Sequence, residues 1–460
     1  MNIRKVLTFS SGPILSALIG FISTPVLSWI YNPDAIGMYS ILVSILSLSI
    51  ILCSAGMDSA FIREYHESED KSLLFKHCVY PSVVLFFCFS FIVTILYLKV
   101  FNFFPLEYVF IFLASIFIAT VNRFISIAFR MRELAGVYSS YLVLNKAFLL
   151  SFLVLFYFFD LNDVKSIYVS IFLNQLFLLL FFLILLFSLN RMSFSDGKIS
   201  KVKIISYLKY GIPLSVSALS YWGMASSDKF IISYYLDLEY VGYYSVAQSV
   251  GMVFIIIQSI ISVLWPPYVY KLNKIDKSKA ISSAYMWIDI IVTLSIVSCL
   301  FFLIFLDYIV MLFPEQYRRM TDFVGVIFLS SIIYTLCEMV SIGVNIKKKT
   351  SLIMFITLLS MFINITLSIL LVDKYKLYGV AISTLISFTI MFVLRYWGSS
   401  YLWGSSKNKV IIKKIIAIYI LVIFNDFIPT YFLFVLLIMF SAVEAKKILG
   451  VLNFGKKSKI

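Results

Sequence analysis

A chain of 460 residues that is 62% apolar and only 13% charged, with a mean hydropathy of +1.00, lacks the polar surface that a soluble protein of this length must present. The apolar excess belongs in lipid, and no stretch is long or polar enough for a separate soluble domain. The net charge of +15 raises the question of a nucleic-acid partner, which the distribution of Lys and Arg answers below.

The chain opens on Arg4 and Lys5, which resembles the basic start of a signal peptide. The apolar run that follows, 10–31, is full length and has no small-residue cleavage site after it, so an uncleaved first span is expected. Hydrocarbon ~30 Å thick needs roughly 20 apolar residues at ~1.5 Å each. That criterion places further spans at 38–57, 79–98, 108–129, 138–159, 167–189, 211–236, 241–266, 284–306, 323–345, 352–372 and 379–397. A last apolar stretch, 411–443, is interrupted by Asn425, Asp426 and Pro429. It reads either as two short spans forming a hairpin or as one span plus an interfacial segment, with the hairpin preferred.

Basic loops stay in the cytoplasm. If the N-terminus is cytoplasmic, 29 of the 38 Lys and Arg fall on that side, among them Arg395 to Lys414 and the tail after Val443. Six fall opposite and three, Arg123, Lys146 and Lys229, lie within spans. Both termini are therefore expected in the cytoplasm. The same bias, aided by anionic headgroups, accounts for the net charge without nucleic acid.

The five cysteines, at 53, 78, 88, 299 and 337, lie in or beside apolar runs without a CxxC pair, and are expected to pack rather than cross-link. His66 and His77 are expected in one polar loop. No cluster has metal-ligand spacing, so neither metal nor cofactor is expected.

An internal repeat organises the chain. Asn32-Pro33-Asp34-Ala35-Ile36-Gly37-Met38-Tyr39-Ser40 is matched 205 residues later by Asp237-Leu238-Glu239-Tyr240-Val241-Gly242-Tyr243-Tyr244-Ser245. Each copy follows a span with an upstream Gly/Pro signal, Gly12-Pro13 or Gly211-Ile212-Pro213, and each opens the next span with Gly-x-Tyr-Ser. Six spans per copy is even, so both copies insert with the same orientation, as in two-lobed transporters. The expected fold is all-α: a polytopic bundle of two pseudo-symmetric six-helix lobes, with twelve core spans and fourteen in total. The lobes are 1–200 and 201–405, and 406–460 forms the hairpin and basic tail.

Ionisable side chains within spans cost about 2.5–3.5 kcal/mol each and usually face a cavity or a partner. Arg123 shares one helical face with Thr120 and Arg130, with Asn122 and Ser126 alongside, which suits a wet cationic groove. Arg123 and Lys146 also lie close enough to the boundary to snorkel. Asp228 and Lys229 follow a run of small residues and sit deep in their span, as an ion pair or a lumen-facing site. Asp58 and Arg63 end span 2, and Asp289 enters span 9. Glu338, deeper in span 10, is a proton-coupling candidate, with Asp289 and Asp58 as further ion-coupling candidates.

Three blocks then carry a resemblance. The first holds Tyr31-Asn32-Pro33-Asp34, Gly37-Met38-Tyr39-Ser40, Gly56-Met57-Asp58-Ser59-Ala60 and Arg63. The second holds Tyr210-Gly211-Ile212-Pro213, Ser227-Asp228-Lys229, Gly242 to Ala247 and Pro266-Pro267-Tyr268. The third is Leu377 to Ser383, with Asn364 upstream. In order and spacing these resemble the polysaccharide transporter branch of the multidrug/oligosaccharidyl-lipid/polysaccharide exporter superfamily, and specifically Wzx-type O-antigen flippases. Lys229 departs from the family's frequent Arg, keeping the charge but not the bidentate geometry.

The resemblance implies a transporter rather than an enzyme. Its cargo would be an undecaprenyl-diphosphate-linked oligosaccharide, moved from the cytoplasmic to the periplasmic leaflet of the bacterial inner membrane by alternating access around a central cavity. Coupling to a proton or sodium gradient stays open, as do a polymerase and a chain-length regulator of the same pathway as partners. Arg123, Lys146, Asp228, Lys229, Arg63 and Arg130 are the expected cavity residues for the diphosphate-linked substrate. A drug or cation exporter of the same superfamily is the first rival, and should favour an acidic cavity. A membrane polymerase or glycosyltransferase is the second, and should carry a large extracytoplasmic catalytic loop.

Overall fold

The computed structural model describes residues 3–100, 105–159, 163–188, 197–404, 409–424, 429 and 431–440. Backbone polar groups have no water to bond in hydrocarbon, so apolar runs of this length must satisfy their N–H and C=O groups internally. The chain does so with helices throughout, and no strand occurs among the described residues.

The first part of the chain forms α1 (Ile3–Ile30), α2 (Pro33–Ser54), a short α3 (Met57–Glu64), α4 (Lys71–Val100), α5 (Leu106–Met131), α6 (Ala135–Phe158), α7 (Asp163–Ser188) and α8 (Lys201–Tyr235). Next come α9 (Leu238–Gly251), a 3-10 turn (Met252–Phe254), α10 (Ile255–Ile275) and α11 (Lys277–Val310). A second 3-10 turn (Glu315–Met320) leads into α12 (Thr321–Val340) and α13 (Ile342–Ile346). The chain continues as α14 (Thr350–Trp403) and α15 (Lys409–Ile423), with a further apolar helix at Tyr431–Phe440. Ten of these segments are long and apolar enough to cross a membrane, so the chain is a multi-pass membrane protein.

Each of the twelve expected core spans lies mostly in helix. Spans 352–372 and 379–397 are joined in α14, broken at Lys376 (φ 47, ψ −132). The 241–266 span is likewise not one regular helix: the 3-10 turn sits where Gly251 packs against Ile327, with room for no side chain.

Local chemistry sets the boundaries. Asn32 caps α2 by accepting from the Ala35 N–H at 2.8 Å, with Pro33 at the first helical position. Span 2 was expected to run to 57, but its helix stops at Ser54. Ala55 (φ 44) and Gly56 (φ 74) turn left-handed, and a Cβ on Gly56 would strike the Gly211 carbonyl. Asp58 and Arg63 therefore lie on the separate helix α3, not at the end of span 2.

His77 also departs from expectation. Asp70 caps α4 through the Leu73 N–H at 2.9 Å, so the loop closes early and His77 is a buried residue of α4, 1% exposed. Its Nδ1–H donates to the Leu73 carbonyl at 2.8 Å, and its Nε2 accepts from the Ser200 N–H at 2.8 Å. The imidazole ties the start of α8 to α4.

The chain divides into two compact units, Met1–Gly242 and Tyr243–Ile460. The first takes in α8, which packs on α2, α3 and α4; division at residue 200 assigns that helix to the C-terminal lobe. Repeat-related glycines meet inside this unit: a Cβ on Gly37 would strike the Leu238 carbonyl, and one on Gly242 the Pro33 carbonyl. In the second unit, α12 is the central helix, buried on all sides between Phe323 and Val340 except at Gly325 and Glu338. The segment α15 packs on α11 and α12. The turn with Asn425 and Asp426, and the expected basic tail after Val443, lie outside the described residues.

Candidate functional site: cations of the first unit

The ionisable side chains expected to form the site lie on α3, α5, α6 and α8 of the first unit. Arg123, on α5, is 53% exposed and directs its fork at Asp58 of α3, with Nη2 at 3.0 Å and Nε at 3.3 Å from the same carboxylate oxygen. The other Asp58 oxygen accepts from the Ser59 N–H at 2.8 Å. One Asp58 therefore engages part of the guanidinium, whose remaining donors face an open side.

The polar neighbours expected beside Arg123 turn inward instead. Thr120, Asn122 and Ser126 are buried. Asn122 donates to the Gln175 backbone carbonyl of α7 at 2.9 Å, Thr120 to the Ile116 carbonyl and Ser126 to the Arg123 carbonyl, each at 2.8 Å. The expected wet face thus reduces to Arg123 and the exposed Arg130. The Thr120 and Ser126 hydroxyls and the Asn122 amide nitrogen make buried bonds, as donors in a low-dielectric interior do.

Arg63 stacks its guanidinium 4.4 Å from the Tyr210 ring centre of α8 and lies 3.6 Å from Glu64. Lys146 projects from the middle of α6 and is exposed. The Lys229 ammonium reaches the Ser44 hydroxyl of α2 at 3.4 Å, beside a fully buried Asp228. Trp222 fixes this part of α8 to α2 by donating to the Ser44 carbonyl at 3.0 Å and the Ser47 hydroxyl at 3.1 Å. Ser44, Ser47 and Trp222 were not singled out from sequence; serines at i and i+3 facing a lone Trp are the available signal.

The second unit treats its charges differently. Glu338 of α12 accepts from Arg395 Nη1 at 2.8 Å, and the same guanidinium donates to Ser341 at 3.2 Å and Thr357 at 2.9 Å. Arg395, counted from sequence with the basic loops, is instead inside α14 with a side chain only 6% exposed. Lys414, also counted there, bridges α15 to α11, reaching Asp289 and Thr293 at 2.7 Å each. All three expected ion-coupling carboxylates, Asp58, Asp289 and Glu338, thus carry a cationic partner.

Exposed guanidinium and ammonium groups on a membrane-embedded unit can bind an anion, and such contacts are stronger where water is scarce. A fork with free N–H groups suits phosphate in particular.

The chain is similar to known proteins in two ways. The family model described as "polysaccharide biosynthesis protein" matches residues 3–273. Among solved structures, the lipid II flippase MurJ in an inward closed conformation aligns with a TM-score of 0.73 at 13% identity, over 96% of this chain and 100% of that one. An inward-facing multidrug resistance MATE family transporter of the MOP superfamily aligns with a TM-score of 0.66 at 16% identity, over 90% of this chain and 96% of that one. A variant of the Vibrio cholerae MATE transporter VcmN aligns with a TM-score of 0.60 at 11% identity, over 87% and 96%. No curated protein sequence matches the chain. At such identities the structural likeness is one of fold.

Proposed function

Because the chain belongs to the polysaccharide biosynthesis protein family, we propose that it is a flippase for an undecaprenyl-diphosphate-linked oligosaccharide. In this reading it carries an O-antigen-like repeat unit from the cytoplasmic to the periplasmic leaflet of the bacterial inner membrane by alternating access, with both termini cytoplasmic. One observation carries the proposal: Arg123 and Lys146 are exposed cations on apolar helices of the first unit long enough to cross a membrane, and Lys229 of α8 reaches α2 in the same unit.

A lone cation within a span is costly unless a partner repays it. A diphosphate supplies that partner in transit, and Asp58 holds Arg123 in place between cargoes. The oligosaccharide needs a polar path, while the isoprenyl chain can stay in the bilayer. Arg63 and Arg130 extend the cationic series along α3 and α5. Glu338 and Asp289 serve the reading best as braces in the second unit, and an ion that drives transport must then compete with Arg395 or Lys414 for them.

The MATE likeness favours a second reading, export of a cationic drug. A cationic cargo wants uncompensated carboxylates, whereas here Asp58, Asp289 and Glu338 each already face a cation. The test is reconstitution. Purified protein in vesicles should move a fluorescent undecaprenyl-diphosphate oligosaccharide to the opposite leaflet, and a cationic dye should stay put. Dye movement without lipid movement would replace the flippase by the exporter.

A further inference from the structure

A second cationic feature lies on the first unit, away from Arg123 and Lys229. A groove of about 560 Å³ runs between α4, α5 and α7, within the ~300–1,000 Å³ range of small-ligand sites. One end carries Lys71 and Lys76 from the first turns of α4 and Arg132 at the end of α5; the lining holds no carboxylate among the described residues. From there the walls are apolar, with Phe75 and Val79 on α4, Phe117 and Val121 on α5, and Leu179 on α7.

The dimensions match one leaflet. Arg132 to Phe117 is 15 residues of α5, about 22 Å of helix at ~1.5 Å per residue, against a hydrocarbon half-thickness of ~15 Å. The charged end therefore reaches headgroup level when the apolar end reaches the bilayer middle. Apolar side chains are also exposed on the same helices: Tyr80, in the groove lining, and Val84 on α4, and Leu180 and Ile184 next in sequence to the lining residues Leu179 and Leu183 of α7. Lys71 is already positioned at the mouth, its ammonium 4.9 Å from the centre of the Tyr65 ring that lines the groove.

We propose that this groove holds one anionic phospholipid of the surrounding membrane, its phosphate at Lys71, Lys76 and Arg132 and an acyl chain along α5. Charge segregated to one end, with a continuous apolar trough behind it, fits an amphiphile and suits neither a free phosphate nor a neutral lipid. Basic pockets between membrane helices recognise anionic headgroups on the same grounds. The bound lipid bridges α4, α5 and α7 at the level where the α3–α4 loop and the start of α8 meet. This site does not depend on the nature of the cargo.

The experiment uses the full-length protein purified in detergent, with native mass spectrometry and thermal melting against added phosphatidylglycerol or phosphatidylcholine. Wild-type protein should retain one phosphatidylglycerol and melt higher with it, and phosphatidylcholine should do neither. The triple variant Lys71→Gln, Lys76→Gln, Arg132→Gln should bind roughly 100-fold more weakly, each cation contributing about fivefold. Ala128→Trp, which fills the trough and leaves the charges, should also lose the lipid. Equal retention of both lipids by wild type, or unchanged retention by either variant, overturns the proposal. So does displacement of the lipid by inorganic diphosphate alone, which would make the site a headgroup pocket without a chain.

Discussion

The two units handle intramembrane charge in opposite ways. In the first, Arg123 is 53% exposed and meets a single carboxylate oxygen. In the second, Arg395 is 6% exposed and is divided among a carboxylate and two hydroxyls. A guanidinium held that closely has little left to offer a ligand, while one held loosely at an open face can exchange partners. The same covalent group is a brace in one half and a candidate contact in the other, and the difference is the number of neighbours built around it.

The largest effect should come from breaking the brace. Glu338→Leu leaves the Arg395 charge buried without its carboxylate, and a loss of about 3 kcal/mol is expected, the low end for such pairs because Glu338 is partly exposed. Thermal melting in detergent reads it, and adding Arg395→Met should return much of the stability. If Glu338→Leu melts like wild type, the contrast between the units has no energetic content.

Next is Gly56→Ala, where a left-handed residue gains a Cβ against the Gly211 carbonyl. The strain and overpacking should cost about 2 kcal/mol or more, seen as lower expression and melting temperature. Gly136→Ala, with open space around it, is the matched control and should change neither.

Arg123→Ala and Lys229→Ala test the other half of the comparison. If the proposed function holds, each removes a charge-assisted contact to the cargo, and transport should fall roughly 10- to 100-fold. Melting should fall less for Arg123→Ala than for Glu338→Leu, because the residue removed is 53% exposed and the Asp58 carboxylate left behind keeps its bond from the Ser59 N–H. Restoration of surface polysaccharide in a flippase-null strain, set against expression level, separates the two readouts. If both variants restore it fully, these residues do not handle the cargo.

The smallest effect belongs to Lys414→Met, which unties α15 from α11 and leaves Asp289 with Thr293 nearby. About 1 kcal/mol is expected, read as earlier proteolytic cleavage after α14 with the rest of the molecule intact.

Much of this architecture was legible in the sequence. Runs of about 20 apolar residues mark the core spans, because lipid leaves the backbone no other option; α8, with its many serines and lysines, is the helix that falls short of that criterion. The break at Ala55-Gly56 was not legible, since hydropathy is continuous across it and a positive φ leaves no trace in composition. Arg395 was misplaced for a related reason. It sits at the edge of an apolar run beside Tyr396 and Trp397, where a loop cation also looks natural, and its partner is 57 residues away. His77 shows the same limit: the charged stretch before it and Lys76 beside it suggest a loop, but its Nε2 is paired with the Ser200 N–H, 123 residues further on. Local chemistry reports the spans, and long-range pairing decides which charges are structural.

The glycine contacts have a mechanical consequence. Near the start of α2, Gly37 sets main chain on main chain against Leu238, and just past its end Gly56 does so against Gly211. Bare backbone has no side chain to shorten, so the spacing at these two points is fixed by the main chain alone. Between them Trp222 pins α2 to α8, and the helix is clamped rather than cushioned.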